Sequence, residues 1–161
     1  MVYYAEYQSP VGRLLLTGEN GALTGLWMER EAPADGVPGD GEPVLVQAKN
    51  WLDGYFHGDC PEIGFPLSPQ GTAFQKLVWE ILLAIPYGKT RSYGDISREV
   101  AARQGKEKMS AQAVGQAVGR NPISILIPCH RVVGSQGQLT GYAGGLERKA
   151  WLLRHEGMIE K

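Results

Sequence analysis

The sequence predicts a mixed α+β / α/β chain in two parts, a small antiparallel-sheet domain over residues 1–70 and a mainly helical domain carrying a helix-turn-helix over residues 71–161. Three observations predict it. Short extended segments separated by turn residues fill the first 28 positions, helical periodicities dominate from Thr72 onward, and a crossing with Pro61, Pro66 and Pro69 separates the two regions. A length of 161 residues suits one domain or two small ones, and an apolar fraction of 43% suffices for a core.

Val2 to Tyr7, Gly12 to Thr17 and Leu23 to Trp27 have strand character, with turn chemistry at Ser9-Pro10 and Glu19-Asn20-Gly21. Asn-Gly is the strongest short hairpin signal, so an antiparallel meander is expected. Residues 31–43 hold three Pro, three Gly and four acids in thirteen positions, the composition of a mobile surface loop. Val44, Leu45, Ala48, Trp51, Leu52, Tyr55 and Phe56 then fall on one helical stripe. Thr72 and Gln75 fit a capping box ahead of Phe74, Leu77, Val78, Ile81, Leu82 and Ile85. Ser92 can cap a helix to about Ala102, and Ser110 a second to about Gly119, two short helices joined by a turn. That second helix is rich in Ala and Gly, which suits close packing on another helix as well as close approach to a DNA groove. Ser124 to Ile127 is expected as a short apolar strand and Leu146 to His155 as a final helix.

The formal net charge is −1, which at face value argues against a nucleic-acid binder. Counted by halves the picture reverses. Residues 1–70 carry three basic against ten acidic side chains, net −7, and residues 71–161 carry thirteen basic against seven acidic, net +6. A basic half that also holds a helix-turn-helix pattern is the footprint of a phosphate-contacting face, with the acidic half turned away. Cys60 and Cys129 form no CxxC pair and no disulfide framework, which fits a reducing compartment. Met1 to Glu6 lacks a basic, apolar leader, and no apolar run approaches the ~20 residues that span a bilayer, so the expectation is a cytoplasmic protein with no membrane partner.

Pro128-Cys129-His130-Arg131 follows the apolar segment directly. A thiol is a useful nucleophile only as thiolate, with a free pKa of ~8.5, so it needs a base or cation nearby. His130 and Arg131 are the adjacent candidates. Neighbours on an extended chain point to opposite faces, so Cys129 and His130 meet only through a tight turn or a bridging water. Glu156 could orient His130, the logic of nucleophile, base and orienting carboxylate. Taken alone, Cys129 is also a small buried hydrophobe, as lone cysteines generally are. His57, Cys60, Cys129 and His130 lack metal-ligand spacing, and no metal is expected.

The run from Gly119 to Gly134, GRNPISILIPCHRVVG, with Leu139 to Gly145 and Trp151 to Gly157 at matching distances, resembles the O6-alkylguanine-DNA alkyltransferases, the methylated-DNA–protein-cysteine methyltransferases. The likeness extends back to Gly71-Thr-Ala-Phe-Gln and Pro86-Tyr-Gly-Lys-Thr-Arg-Ser-Tyr93, while residues 1–70 match only in general layout. The resemblance implies a ribonuclease-H-like first domain and a winged-helix-like second one. It implies single-turnover transfer of an alkyl group from guanine O6, and possible action on O4-alkylthymine, with no cofactor. Its acceptor cysteine falls on Cys129, its water-mediated base on His130, the supporting carboxylate on Glu156, the turn-bracing asparagine on Asn121 and the proton-donating tyrosine on Tyr93. Taken alone, Tyr93 is better explained as the first buried residue of a helix. The implied pocket walls are Val132, Tyr142 and Ala143 with Tyr93. The implied DNA contacts are Gln112, Ala113, Gly115, Arg131 and Ser135. The implied partner is double-stranded DNA containing O6-alkylguanine, bound by a monomer without an obligate protein partner. Where the family commonly places an arginine ahead of Ala-Val-Gly, this chain has Gln112. Alternatives are a non-catalytic lesion binder, which the presence of Cys129 opposes, and a thiol-based redox-sensing winged-helix regulator, which lacks a resolving thiol and base-reading side chains. A cysteine hydrolase would need an oxyanion hole that nothing in the sequence indicates.

Overall fold

Asn20 and Gly21 sit at φ values of 55° and 80°, the positive pair that a two-residue hairpin turn requires. They join β2 (Gly12–Glu19) to β3 (Ala22–Met28), and β2 pairs on its other side with β1 (Tyr3–Ser9), both antiparallel. The sheet order is β3-β2-β1-β4. Leu14, Leu15 and Leu16 of the inner strand are all fully buried, so β2 is covered on both faces and its apolar run is continuous rather than alternating. α1 (Pro43–His57) packs on β1, β2 and β3 through Val44, Leu45, Ala48, Trp51, Leu52 and Tyr55. Pro43 sits in its first turn, where the missing N–H costs nothing, and Gly58 closes it at φ 106°.

The structure is a computed structural model that describes residues 1–157. It divides into two units, Met1–Gln70 with Pro122–Ser124, and Gly71–Asn121 with the chain from Ile125 onward. Two local expectations change. The acidic Pro/Gly segment contains a two-residue edge strand, β4 (Val37–Pro38), parallel to β1, with Val37 N–H on Val2 O and Gly39 N–H on Tyr4 O. Pro38 is tolerated there because an edge position asks nothing of its missing N–H. The strand expected at 124–127 is absent. Ile123 instead bridges Leu26, with Leu26 N–H on Pro122 O at 2.8 Å, and the chain then turns with Ile125 at φ 72°. An apolar run buried on all sides carries no periodicity that separates strand from turn.

In the second unit, α2 (Ala73–Leu83), α3 (Tyr93–Arg103) and α4 (Ala111–Gly119) pack against one another pairwise. Thr72 with Gln75 and Ser92 with Asp95 form complete capping boxes, and Ser110 Oγ accepts from Ala113 N–H. β5 (Arg91–Ser92) runs parallel to β6 (Val132–Val133), and α5 (Leu146–His155) follows. No helix of the described residues is long and apolar enough to cross a membrane.

Trp79 locks α2 to α4, because its buried Nε1–H donates to Ala117 O at 2.8 Å. Trp79→Phe removes one of two donors to that carbonyl, which still accepts from Arg120 N–H at 3.2 Å, and the expected cost is about 0.5–1.5 kcal/mol. Urea unfolding checks it; an unchanged midpoint would show that the bond contributes nothing net.

Candidate active site

Pro128 leads into a single 3₁₀ turn, Cys129–Arg131, closed by Cys129 N–H on Ile127 O at 2.7 Å and Arg131 N–H on Pro128 O at 2.9 Å. Of the two ways in which neighbours could share a site, a tight turn is present. Asn121, two positions past the end of α4, spans this turn from beneath: its Nδ2 donates to Ile127 O at 2.8 Å and lies 3.2 Å from Cys129 Sγ. The thiol is buried, and burial pushes its pKa up. The Asn121 amide and the nearby Lys149 charge oppose that rise, since both favour thiolate.

Beside the thiol, His130 is fully buried with Nε2 2.7 Å from Glu156 Oε2. The same carboxylate accepts from Arg131 Nε at 2.7 Å and Nη2 at 3.2 Å, while Arg131 Nη1 donates to Ile85 O at 2.7 Å. Burial pulls the His130 pKa down, although the Glu156 contact acts upward. The downward direction prevails because Arg131 already neutralises the single carboxylate charge, and an imidazolium would be a second buried cation on one anion. His130 is therefore a neutral imidazole whose Nε2–H bonds Glu156. Among the described residues its Nδ1 is buried without a hydrogen-bond partner, which leaves a lone pair to act as base.

Cys129 lines a cavity of about 200 Å³ with Tyr93, Val118, Tyr142 and Ala143, the remaining wall being Gly115, Gly119 and Gly141. Tyr93 opens α3, and its hydroxyl donates to Thr140 O and Gly141 O at 3.2 and 3.3 Å. Burial first, and the Cys129 charge second, raise its pKa, so it holds its proton as a donor into the cavity. A larger hollow of about 630 Å³ in the first unit, bounded by Thr17, Trp27 and Gln70, contains neither thiol nor imidazole.

Cys129, His130, Glu156, Asn121 and Tyr93 thus come together. Three other expected placements differ or shift. Val132 is fully buried in β6, whose two residues both lie in the core, and it does not line the cavity. Arg131 is buried on Glu156 and Ile85, which removes it from any DNA-facing surface. Gly115, expected at DNA, lines the cavity as well. Gln112 and Ser135 are exposed and Ala113 is half-buried on α4, while Tyr142 and Ala143 lie in the cavity wall. Two features escaped the sequence reading. Val118 and Gly119 join the cavity wall, and the fully buried Lys149 bonds Val132 O, Thr140 O and Gly141 O. The available signal was a lysine on the apolar face of α5, one helical turn from Leu152 and Leu153.

Comparison with known proteins agrees with this geometry. The 6-O-methylguanine DNA methyltransferase ribonuclease-like domain matches residues 2–69, and the DNA binding domain of the same family matches residues 73–158. A methylated-DNA–protein-cysteine methyltransferase of Methanosarcina acetivorans is 43% identical over 97% of this chain and 99% of its own length. One from Mycobacterium leprae is 44% identical over 97% and 93% respectively. The crystal structure of Mycobacterium tuberculosis OGT in complex with DNA superposes with a TM-score of 0.84 at 43% identity, covering 96% of this chain and 92% of that one.

Glu156→Gln leaves the Arg131 guanidinium buried without a counter-charge, and the expected loss is about 3–5 kcal/mol. Adding Arg131→Met removes the orphaned cation and recovers part of the loss. A double-mutant cycle by chemical denaturation checks the coupling, and simple additivity of the two losses would contradict it.

Proposed function

The chain belongs to the 6-O-methylguanine DNA methyltransferase family, and from that premise we propose how its residues carry out DNA repair by alkyl transfer to Cys129. DNA is the partner, and the lesion is O6-alkylguanine, with O4-alkylthymine as a secondary substrate. The observation that carries the reading is a thiol and a tyrosine residue lining one small cavity, with a buried imidazole on the residue next to the thiol, held by a carboxylate.

The O6 atom is out of reach inside a duplex, so the nucleotide is extruded into the cavity at a cost of a few kcal/mol. α4 lies along the minor groove. In support, a Cβ added at Gly115 or Gly119 would meet nothing within 4 Å among the described residues outside its own stretch of helix, so packing against them does not require glycine there. Glycine inside a helix costs roughly 0.5–1 kcal/mol against alanine, a cost that close approach to a ligand accounts for.

His130 Nδ1 takes the Cys129 proton through a water, and Glu156 supports the resulting imidazolium. The thiolate displaces guanine at the alkyl carbon: an S–C bond forms, the C–O6 bond breaks and its electrons stay with the base. Tyr93 supplies a proton so that guanine leaves neutral. A thioether has no route back to thiol here, so each molecule acts once, as a monomer in the cytoplasm without cofactor.

Incubation with a duplex bearing O6-methylguanine is expected to add one methylene to the mass of the protein, stoichiometrically, and Cys129→Ser to abolish the gain. Turnover beyond one equivalent would refute single use, and binding without gain would favour a lesion binder. Gln112, exposed on α4, offers an amide to the partner base but neither fixed charge nor a guanidinium plane. Gln112→Arg is expected to tighten duplex binding and steepen its salt dependence. Affinity unchanged across a salt titration would contradict that.

A further inference from the structure

An ammonium has three donors and no acceptor, and all three of those on Lys149 are directed at backbone carbonyls. Its Nζ lies 2.5 Å from Val132 O, 2.8 Å from Thr140 O and 3.3 Å from Gly141 O. Val132 begins the strand immediately after the Cys129 turn, and Gly141 lines the cavity. One buried cation therefore ties the cavity wall to the segment that carries the nucleophile. Among the described residues Lys149 makes no ion pair, so this site is not an incidental salt bridge.

Tyr93 shares two of those carbonyls. Its hydroxyl bonds Thr140 O and Gly141 O at 3.2 and 3.3 Å, well beyond the ~2.7–2.8 Å typical of O–H···O bonds. At Thr140 O the charge-assisted bond from Lys149, 2.8 Å, is the shorter of the two, while at Gly141 O both donors stand at 3.3 Å, so neither carbonyl holds the tyrosine proton tightly. Nζ also stands 5.8 Å from the centroid of the Tyr93 ring, within cation–π range.

We propose that Lys149 is a positioning residue for alkyl transfer, whose ammonium clasps Thr140 and Gly141 to Val132 and keeps the Tyr93 proton free to pass to the departing base. This rests on the reading of Tyr93 as the proton donor. A neutral amine would surrender one donor, release a carbonyl, and let Tyr93 bind that oxygen instead of the base. The titratable groups facing Lys149 are Tyr93 from α3 and Cys129 and His130 from the turn. Burial lowers the Lys149 pKa to about 8, while Tyr93 and Cys129 are raised and His130 is lowered. Lys149 is thus the group in the site that changes charge near pH 8.

The test is the single-turnover rate of methyl transfer from an O6-methylguanine duplex, followed by protein mass across the pH range on either side of 8. The wild-type rate is expected to fall as pH rises through about 8. Lys149→Arg keeps its charge and is expected to lose that descending limb, whereas Lys149→Met is slow, by about tenfold, at every pH. The decisive second measurement uses Tyr93→Phe as background: with no proton to position, Lys149→Met should add little further loss. A flat wild-type profile, or an equal loss in both backgrounds, overturns the inference alone. Absence of transfer from wild type at every pH overturns the functional reading and this inference with it.

Discussion

The carboxylate of Glu156, buried just past α5, receives both the imidazole of His130 and the guanidinium of Arg131. Burying any one of these groups alone would cost several kcal/mol, and the three are tolerable only because each satisfies another. Arg131 extends the tie to Ile85 O, beyond the end of α2. The turn carrying Cys129 is thereby anchored to two separate helical segments through side chains two positions or fewer from the thiol. Burial, with the neighbouring Arg131 charge, holds the His130 pKa down against the upward pull of Glu156.

From that anchoring follows a nucleophile that is held ready but not ionised. Burial keeps the Cys129 thiol up, and only the Asn121 amide, the backbone of the turn and the Lys149 charge pull the other way. A buried thiol of raised pKa is protected from solvent oxidants, whose attack follows thiolate character and exposure. Ile125, a β-branched residue at φ 72°, stands between Asn121 and the turn. Such a conformation costs of order 1–3 kcal/mol and persists where the surroundings over-determine it. Here the surroundings are the Ile123 bridge on one side and the Asn121 to Ile127 bond on the other. A protein that reacts once has no need to open the site for product turnover, so this rigidity carries no kinetic penalty after transfer.

The helices and their starts were legible because capping is local: Thr72, Ser92 and Ser110 announce themselves within three residues. The thiol, its imidazole neighbour and the distant carboxylate were legible through the motif run around Pro128-Cys129-His130-Arg131. What stayed hidden depends on contacts far apart in sequence. Nothing near Val37 signals a parallel partner in β1, and Ile123 to Ile127 is apolar on every side, so periodicity could not reveal its turn. Arg131 was misplaced because the motif that carries the resemblance cannot show that Glu156, 25 positions away, holds its guanidinium in the interior. Lys149 was missed because its place on the apolar face of α5 shows that it is buried but not which groups receive its ammonium, and those three carbonyls lie 8 to 17 positions away.

Pairing also refines what the +6 of the second half means. Arg91, Arg98, Arg103 and Arg131 are engaged with Glu99, Asp95, Glu80 and Glu156, so equal numbers of each sign are withdrawn. The exposed cations that make no ion pair among the described residues include Lys106 and Lys108, ahead of α4, and Arg120, directly after it. α4 itself, Ala111–Gly119, bears no charge at all. On the function proposed above, a neutral, small-residue helix flanked by cations would separate the two tasks of a groove-binding surface. The ends would supply the salt-dependent attraction to phosphate that every sequence shares, while the middle, which forms one wall of the cavity, would make the close contact. On that proposal, discrimination would rest with the cavity beside Cys129, three of whose lining residues on either side of the thiol are glycines.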